Sequence, residues 1–232
     1  MSAAVREIVD GLHLIPGLVN IYLLKTERGC AVIDTGFPGS AKKILAAVRA
    51  IGLAPDDVRD ILLTHAHPDH IGSTAALKRE TGARVWAHEK DTPIIEAGTG
   101  FRSARACPGL RNMILAGILR RFMSDLEPTK VDGQIVEGKS LPFAPDLEVI
   151  HVPGHSAGQV AFHLARNGGV LLAADTCVYR RGIQLPVAAE DLDEARRSLR
   201  KLADRDFNTL CFMHGRPIME DADSRFRAWL KA

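Results

Sequence analysis

Short runs of apolar residues alternate with turn residues and with helical patterns along the chain. In the first half, apolar runs separated by Gly17 and Gly29 are typical of successive strands. From Ala41 the apolar spacing becomes helical, with Gly52 as a stop, and a second helical pattern begins at Ile71. The predicted strands of this half are 12–16, 20–25, 30–36, 60–64 and 83–88.

The second half repeats this rhythm of strands followed by helices. Apolar spacing from Leu192 to Leu202 predicts a helix, and a last amphipathic helix is predicted from about Glu220. The predicted strands are 146–153, 159–165, 169–175 and 208–215. Because no linker separates the halves, residues 1–232 are predicted to form a single domain. In this domain two sheets pack face to face, with helices outside each sheet.

Residues 89–130 break this rhythm with several proline and glycine residues. Within them, NMILAGILRRFM (112–123) is apolar on nearly every side but is too short to cross a membrane. A helix of this kind must bury its surface against something. We therefore predict a helical insertion at 89–130. Its segment 112–123 is a lid over a site, a contact of a homodimer or an additional core helix.

Composition and charge narrow the class of protein. Of the 232 residues, 46% are hydrophobic and 25% are charged, as in ordinary globular proteins. The formal net charge of +2 gives no basis for a nucleic-acid partner. No run approaches the roughly 18 apolar residues of a membrane span, and the N-terminus has no signal-peptide pattern. The four cysteines form no CxxC pair. We therefore expect a cytoplasmic protein with reduced thiols and no membrane partner.

The densest cluster of chemically active side chains is THAHPDH, residues 64–70. His65 and His67 point the same way while the chain is extended. Pro68 ends the strand, so that Asp69 and His70 lie where a helix would begin. Such a turn can aim two pairs of ligands at neighbouring points. A polar loop with exposed histidines is the alternative, which the density of the cluster disfavours, so we predict a metal site.

Three later strands each deliver one more candidate ligand at their ends. The strand at 146–153 leads to His155, the strand at 169–175 ends at Asp175, and the last strand reaches His214. Layered folds commonly build sites where loops leave the ends of strands. Each residue alone would be an ordinary loop residue, but together with the first cluster they complete a shared set of ligands.

These motifs resemble those of the metallo-β-lactamase superfamily, in the same chain order. They are IDTG with Asp34, HAHPDH, PGHSAG with His155, LLAAD with Asp175 and the final HG with His214. The resemblance covers residues 10–230. It implies an α+β fold, a four-layer αββα sandwich, with the metal site at one edge of the sheets.

The resemblance also implies a role for each ligand. His65, His67 and His155 would hold one metal ion, and Asp175 would bridge it to a second ion. The second ion would be held by Asp69, His70 and His214. Such nitrogen and oxygen ligands suit two Zn²⁺ ions, with Fe or Mn as alternatives. The resemblance gives Asp34 a hydrogen bond that orients the ligand loop.

The function implied is that of a metal-dependent hydrolase acting on a small-molecule substrate. A hydroxide that bridges the metal ions, oriented by Asp69, would cleave an ester, lactone or thioester. Segment 112–123 could shape an apolar pocket, and Tyr179 could donate to a developing oxyanion. Within this class a lactonase fits better than a glyoxalase II-like thioesterase, because only about 17 residues follow His214-Gly215.

Two other activities are weighed against hydrolysis of such substrates. A true β-lactamase is disfavoured, because those enzymes usually lack an aspartate in the place of Asp175. A persulfide dioxygenase-like oxidoreductase with a single iron stays open, because it uses an overlapping set of ligands. Metal analysis separates it from a hydrolase with two zinc ions.

Overall fold

Two β-sheets face each other across a shared apolar layer. The computed structural model describes residues 5–100, 103–119 and 126–232. Within them, the larger sheet has the strand order β1-β2-β3-β4-β5-β6-β8. The strands of the first half are β1 (Arg6–Val9), β2 (Leu12–Ile15), β3 (Ile21–Thr26), β4 (Gly29–Ile33), β5 (Val58–Leu62), β6 (Arg84–Ala87), β7 (Arg105–Ala106) and β8 (Gly133–Gln134).

The larger sheet changes from antiparallel to parallel in its middle. Strands β1 to β4 form an antiparallel meander, whereas β4, β5, β6 and β8 run parallel. Parallel neighbours need crossover connections. Helix α1 (Ala41–Ala50) joins β4 to β5, and the helices α2 (Pro68–Ile71) and α3 (Thr74–Thr81) join β5 to β6. The carboxyl ends of β4, β5 and β6 therefore lie at one edge.

The smaller sheet has the order β15-β11-β10-β9. Its strands are β9 (Leu147–His151), β10 (Val160–Leu164), β11 (Val170–Leu172) and β15 (Thr209–Cys211). Strand β10 is antiparallel to both β9 and β11, and β15 is parallel to β11. Strands β9, β11 and β15 therefore point the same way and end at the same edge. Helices α6 (Leu192–Ala203) and α7 (Ala222–Lys231) follow in the second half.

Alternate side chains of each strand enter different layers, as the pleat requires. Tyr22 of β3 and Phe162 of β10 meet in the layer between the sheets. Leu23 packs outward in the cluster that contains helix α1. Ala161 packs outward with Leu199 of α6. Helices thus cover the outer face of each sheet, which confirms the predicted αββα sandwich.

The predicted helices and strands are found with shifted ends, and one predicted helix is divided in two. The helix predicted from Ile71 is split into α2 and α3, because Ser73 leaves the helical conformation. Its hydroxyl donates to the Phe37 carbonyl and accepts from the Ser40 amide, so it holds the preceding loop. Strand β1 and the two-residue strands β7, β8, β12 (Val178–Tyr179), β13 (Ile183–Gln184) and β14 (Ala188–Ala189) are not among the predictions. Strands so short carry no readable alternation.

The insertion predicted at 89–130 contains helix α4 (Thr92–Ala97), strand β7 and helix α5 (Leu110–Leu119). Of the segment 112–123, residues 120–123 lie outside the described part of the chain. Met113 and Ile114 of α5 are 62% and 57% exposed. The interpretation as a core helix therefore fails for these two side chains, and the lid and the dimer contact stay predictions. None of the described helices is long and apolar enough to span a bilayer.

Candidate metal centre

The first ligand loop leaves the carboxyl end of β5 and turns at once into α2. His67 is extended, with φ −85° and ψ 148°, and Pro68 then starts the helix. Proline at this position has a preset φ and lacks an amide hydrogen that the helix start would leave unused. The change of conformation at Pro68 separates His65 and His67 from Asp69 and His70, so the loop carries two pairs of ligands.

The other candidate ligands reach the same edge from the smaller sheet. His155 follows β9, Asp175 lies in a 3-10 turn after β11, and His214 follows β15. Because these strands end at one edge, the structure brings all seven predicted ligands together. Ligand atoms that could share an ion lie within 4.8 Å of one another in three overlapping groups that together use all seven residues, and the group that links the other two is His65, His70 and Asp175. The inner group is His65, His67 and His155, and the outer group is Asp69, His70 and His214.

The inner group consists of three imidazoles in contact. His67 Nδ1 lies 3.0 Å from His65 Nε2 and 3.0 Å from His155 Nε2. The side chains of His65 and His155 are buried. Three ring nitrogens therefore converge on one small volume, which is the arrangement that a single cation needs.

The outer group contains a carboxylate and opens toward solvent. Asp69 Oδ2 lies 3.4 Å from His214 Nε2 and 3.6 Å from His70 Nε2. The side chains of Asp69 and His214 are each 26% exposed, whereas His70 is fully buried. Any substrate that reaches the centre would therefore meet the outer group.

Asp175 lies between the two groups. Its Oδ2 is 3.2 Å from His214 Nε2, 3.7 Å from His70 Nε2 and 3.5 Å from His155 Nε2. One carboxylate oxygen is thus within reach of a cation in either group. From this position Asp175 could bridge ions held by the two groups.

Hydrogen bonds at Nδ1 leave four histidines with Nε2 facing the centre. His70 Nδ1 donates to Asp34, 2.8 Å away, because an ionised carboxylate can only accept. The Nδ1 atoms of His155 and His214 donate to the carbonyls of Ala188 and Leu18, at 2.8 and 2.9 Å. An imidazole anchored in this way offers Nε2 to a metal, as is general in metal sites.

The tautomer of His65 follows from its neighbour Thr64. The Thr64 hydroxyl donates its single hydrogen to Asp34 Oδ2, 2.8 Å away, and lies 3.0 Å from His65 Nδ1. It must therefore accept a hydrogen from His65 Nδ1, which leaves Nε2 of His65 as a bare lone pair. The structure thus places Asp34 in contact with His70 and, through Thr64, with His65.

The imidazoles of the inner group stay neutral. Burial and then the nearby His70 and His67 lower the pKa of His65 well below its ordinary value. Burial and then His155 lower the pKa of His67 to about 3. Burial also lowers the pKa of His155, although Asp175 opposes the shift. Neutral imidazole is the form that binds a metal ion.

The outer group stabilises positive charge. Burial lowers the pKa of His214, but Asp175 and Asp69 outweigh it and raise the pKa to about 10. Burial likewise opposes the shift at His70, whose pKa the carboxylates of Asp69, Asp175 and Asp34 raise well above its ordinary value. Burial raises the pKa of Asp175, but His214 and His70 hold it well below its ordinary value. Carboxylates thus favour a cation at the Nε2 atoms, either a proton or a metal ion.

The donor set fits divalent metal ions. His70 Nε2 and Asp175 Oδ1 are buried and have no hydrogen-bond partner among the residues that the structure describes. Buried polar atoms without a partner are rare and point to a missing water or ion. Imidazole nitrogens and carboxylate oxygens suit Zn²⁺ and also Fe and Mn.

A family model decides what kind of protein carries this centre. The model of the metallo-β-lactamase superfamily matches residues 14–214, which include all seven candidate ligands. The chain belongs to the metallo-β-lactamase superfamily. Superfamily membership and the sandwich of two sheets agree with the resemblance found in the sequence.

Several relatives within the metallo-β-lactamase superfamily share much of the chain. The uncharacterized protein YobT of Bacillus subtilis is 29% identical over 226 residues, 92% of this chain and 90% of its own length. A hydroxyacylglutathione hydrolase of Pseudomonas aeruginosa is 37% identical over 161 residues, 67% of this chain but only 46% of its own length. The N-acyl homoserine lactonase AiiA of Bacillus thuringiensis is 26% identical over 82% of this chain and 78% of its own length.

A solved structure of a superfamily member shows the same fold. BJP-1, a subclass B3 metallo-β-lactamase of Bradyrhizobium japonicum, aligns with a TM-score of 0.75 and 23% identity. The alignment covers 99% of this chain and 91% of that chain. At this identity the likeness concerns the fold alone. The chain therefore has the metallo-β-lactamase fold.

Asp34, from the first superfamily motif, adopts an unusual backbone conformation. Its φ of 58° lies in the left-handed region, which aspartate tolerates better than most residues. The side chain is fully buried and also accepts from the Thr64 amide at 2.8 Å. Strained conformations persist where the surroundings fix them. Here three hydrogen bonds to the ligand loop fix Asp34.

Tyr179 and Asp91 differ in what their side chains contact. Tyr179 packs on Phe212, and its hydroxyl accepts from Arg216 at 3.2 Å. None of its described contacts joins that hydroxyl to the ligands, so its substrate contact stays a prediction. Asp91, by contrast, is not among the predicted site residues, although its carboxylate accepts from the Ala66 amide, which lies between His65 and His67.

Proposed function

We propose that the protein is a dinuclear metallohydrolase that cleaves an ester, lactone or thioester of a small substrate. One observation carries this proposal. Four histidines present Nε2 to the centre, and His67 presents Nδ1. The carboxylate of Asp175 lies between the two groups, and that of Asp69 belongs to the outer group. Two of the atoms at the centre, His70 Nε2 and Asp175 Oδ1, are buried without a hydrogen-bond partner among the described residues, whereas a purely structural cluster would pair them.

The inner group and Asp175 would hold one ion, and the outer group and Asp175 would hold the other. Zn²⁺ is the proposed metal, with Fe or Mn as alternatives that the same ligands accept. Two divalent ions would supply a hydroxide near neutral pH, by lowering the pKa of water from 15.7 to about 7, and would polarise a carbonyl.

Asp69 is the proposed catalytic carboxylate. Its side chain is partly exposed at the open side of the centre, and it stays ionised because His70 and His214 outweigh the effect of burial and lower its pKa. An ionised carboxylate there can orient an attacking water and accept its proton. The proton can then pass to the leaving oxygen of an ester or lactone or to the leaving sulfur of a thioester.

An exposed apolar side chain beside the outer group favours a substrate with an apolar part. The carbonyl of Leu18 holds His214, and the Leu18 side chain is 85% exposed. Met113 and Ile114 of α5 are also exposed apolar side chains, and we propose that α5 brings them to the same surface. An exposed apolar surface of this kind commonly marks a binding site. The similarity to a lactonase and to a hydroxyacylglutathione hydrolase supports the carbonyl substrates, and segment 112–123 is proposed as lid or homodimer contact.

Metal analysis followed by a substrate panel tests the proposal. We expect two zinc ions per chain and turnover of an ester, a lactone or a thioester, with little turnover of a β-lactam. His67→Ala should lose metal and turnover together. His163→Ala is the matched control, because His163 bonds the Asp206 carbonyl outside the centre.

Two results would contradict the proposal. A His67→Ala variant with two metal ions and full turnover would refute the assigned ligands. One iron per chain with oxidation of a persulfide would favour the mononuclear dioxygenase instead. The cytoplasmic location and the lack of a nucleic-acid or membrane partner stay predictions from the sequence.

A further inference from the structure

Asp91 connects the two loops that supply the inner group. Its Oδ2 accepts from the Ala66 amide at 2.9 Å. Its carboxylate also accepts from the Ser156 hydroxyl, at 2.9 Å for Oδ1 and 2.7 Å for Oδ2, and from the Gly158 amide at 3.0 Å. Ala66 lies between two ligands of the inner group, and Ser156 directly follows the third. One carboxylate therefore spans loops that are far apart in the sequence.

The three groups that converge on Asp91 are all donors. An ionised carboxylate accepts from all of them, whereas an asparagine would turn its NH₂ toward an N–H or O–H. Asp91 is only 1% exposed, so water cannot easily replace a lost bond. Hydrogen bonds to a charged group are stronger than those to a neutral group. The link between the loops therefore depends on a side chain whose two oxygens both accept hydrogen bonds.

Gly158 shows how closely the second loop approaches Asp91. A Cβ atom at Gly158 would lie 2.5 Å from Asp91 Cγ. Its backbone φ is not in the left-handed region, so the contact rather than the conformation requires glycine here. The sequence of the second loop is thus fitted to the Asp91 side chain.

We propose that Asp91 is a positioning residue that sets the spacing of the two loops and thereby the metal affinity of the inner group. The inference rests on the proposed metal binding, which it deepens. Asp34 has the corresponding position for the outer group, because it binds His70 directly. Asp91 accepts from the Ala66 and Gly158 amides and from the Ser156 hydroxyl, so it acts through the loops that carry the ligands.

The test is Asp91→Asn, with Asp60→Asn as matched control. Asp60 is also a buried aspartate, but it lies in β5 of the larger sheet, where its Oδ1 accepts from the Trp86 indole at 2.8 Å. An asparagine can keep that bond. The metal affinity of each variant is measured by competition with a chromophoric chelator, using zinc alone, and the visible spectrum of the cobalt-substituted protein reports ligand geometry.

We expect Asp91→Asn to weaken the binding of one metal ion by about 10–100-fold and to alter the cobalt spectrum. Asp60→Asn should change the affinity by less than about twofold, even if it lowers the thermal stability of the metal-free protein. In a His214→Ala background, which removes a donor of the outer group alone, Asp91→Asn should still weaken the remaining ion. Unchanged affinity in that background would overturn the inference.

Ser156→Ala provides a milder test if Asp91→Asn does not fold. It removes one donor and leaves the two amides on the carboxylate, so we expect a loss of a few-fold in metal affinity. A metal affinity equal to that of the parent protein would overturn the inference. A parent protein that binds no metal would instead refute the proposed function, so the two failures are distinguishable.

Discussion

The inner and outer groups use similar histidines but differ in what surrounds them. The inner group has three neutral imidazoles, from two loops that Asp91 connects. The outer group has a carboxylate of its own, two imidazoles with raised pKa values and partial contact with solvent. If the two groups hold ions as proposed, the inner group is suited to hold its ion more tightly, and the outer group is suited to exchange ions, water and substrate.

The two groups also differ in the source of their negative charge. Within the inner group no carboxylate is a member, so an ion there would depend on Asp175 for compensation of its charge. The outer group shares Asp175 but also has Asp69. Asp175 is therefore the carboxylate that both groups share, and a change there should affect both.

Asp175→Asn should have the largest effect of the changes considered. Loss of the shared charge should reduce the metal content at both groups and lower kcat/KM by at least about 100-fold. Metal content and kcat/KM are measured on the same preparation. Retention of both ions with little loss of activity would show that the groups are independent and that Asp175 does not bridge them.

Removal of metal by a chelator should occur in two phases. The outer group is partly exposed, so we expect its ion to leave first and the ion of the inner group to leave more slowly. His214→Ala should lack the fast phase and His155→Ala the slow phase, whereas His163→Ala should keep both. A single phase in the parent protein would contradict the division. Loss of metal present at a hundred times its Kd should lower the free energy of unfolding by about 2.7 kcal/mol. Tm should fall accordingly.

Asp34→Asn should affect the outer group more than the inner group. The asparagine cannot accept from His70, from the Thr64 hydroxyl and from the Thr64 amide as the carboxylate does. We expect the metal affinity of the outer group to fall by about 10–100-fold. The inner group should lose less, because only His65 depends on Asp34, through Thr64. A larger loss at the inner group would reverse the comparison with Asp91.

The ligands could be predicted from the sequence because they are side chains in dense motifs at strand ends. The groups that anchor these ligand side chains could not be predicted in the same way. His155 and His214 are anchored by the backbone carbonyls of Ala188 and Leu18, and a carbonyl leaves no mark in the sequence. Ala188 belongs to β14, which pairs with β7 of the insertion, so the insertion supports a ligand through strands only two residues long.

The contacts of Asp91 with the two ligand loops could not be predicted from the sequence, for a different reason. Asp91, Thr92 and Pro93 have the pattern of a helix start, in which aspartate caps the first turn. Asp91 does occupy the N-cap position of α4, but its side chain makes no capping bond. Its partners at Ala66 and Ser156 are distant in the sequence, and only the packing of the two sheets brings them together. The sandwich was predictable because it depends on local alternation, whereas such long-range links were not.

The smallest predicted effect concerns helix α5. If this helix covers the outer group, Met113→Ser with Ile114→Ser should raise KM for an ester with an apolar acyl chain by a few-fold. KM for acetate esters should change little, because the lost apolar area matters only to substrates that bury a chain against it. Metal content should be unchanged, since neither side chain is in the ligand groups. A halved mass in solution with unchanged KM values would instead assign α5 to a homodimer contact, and the outer group would then be open without a lid.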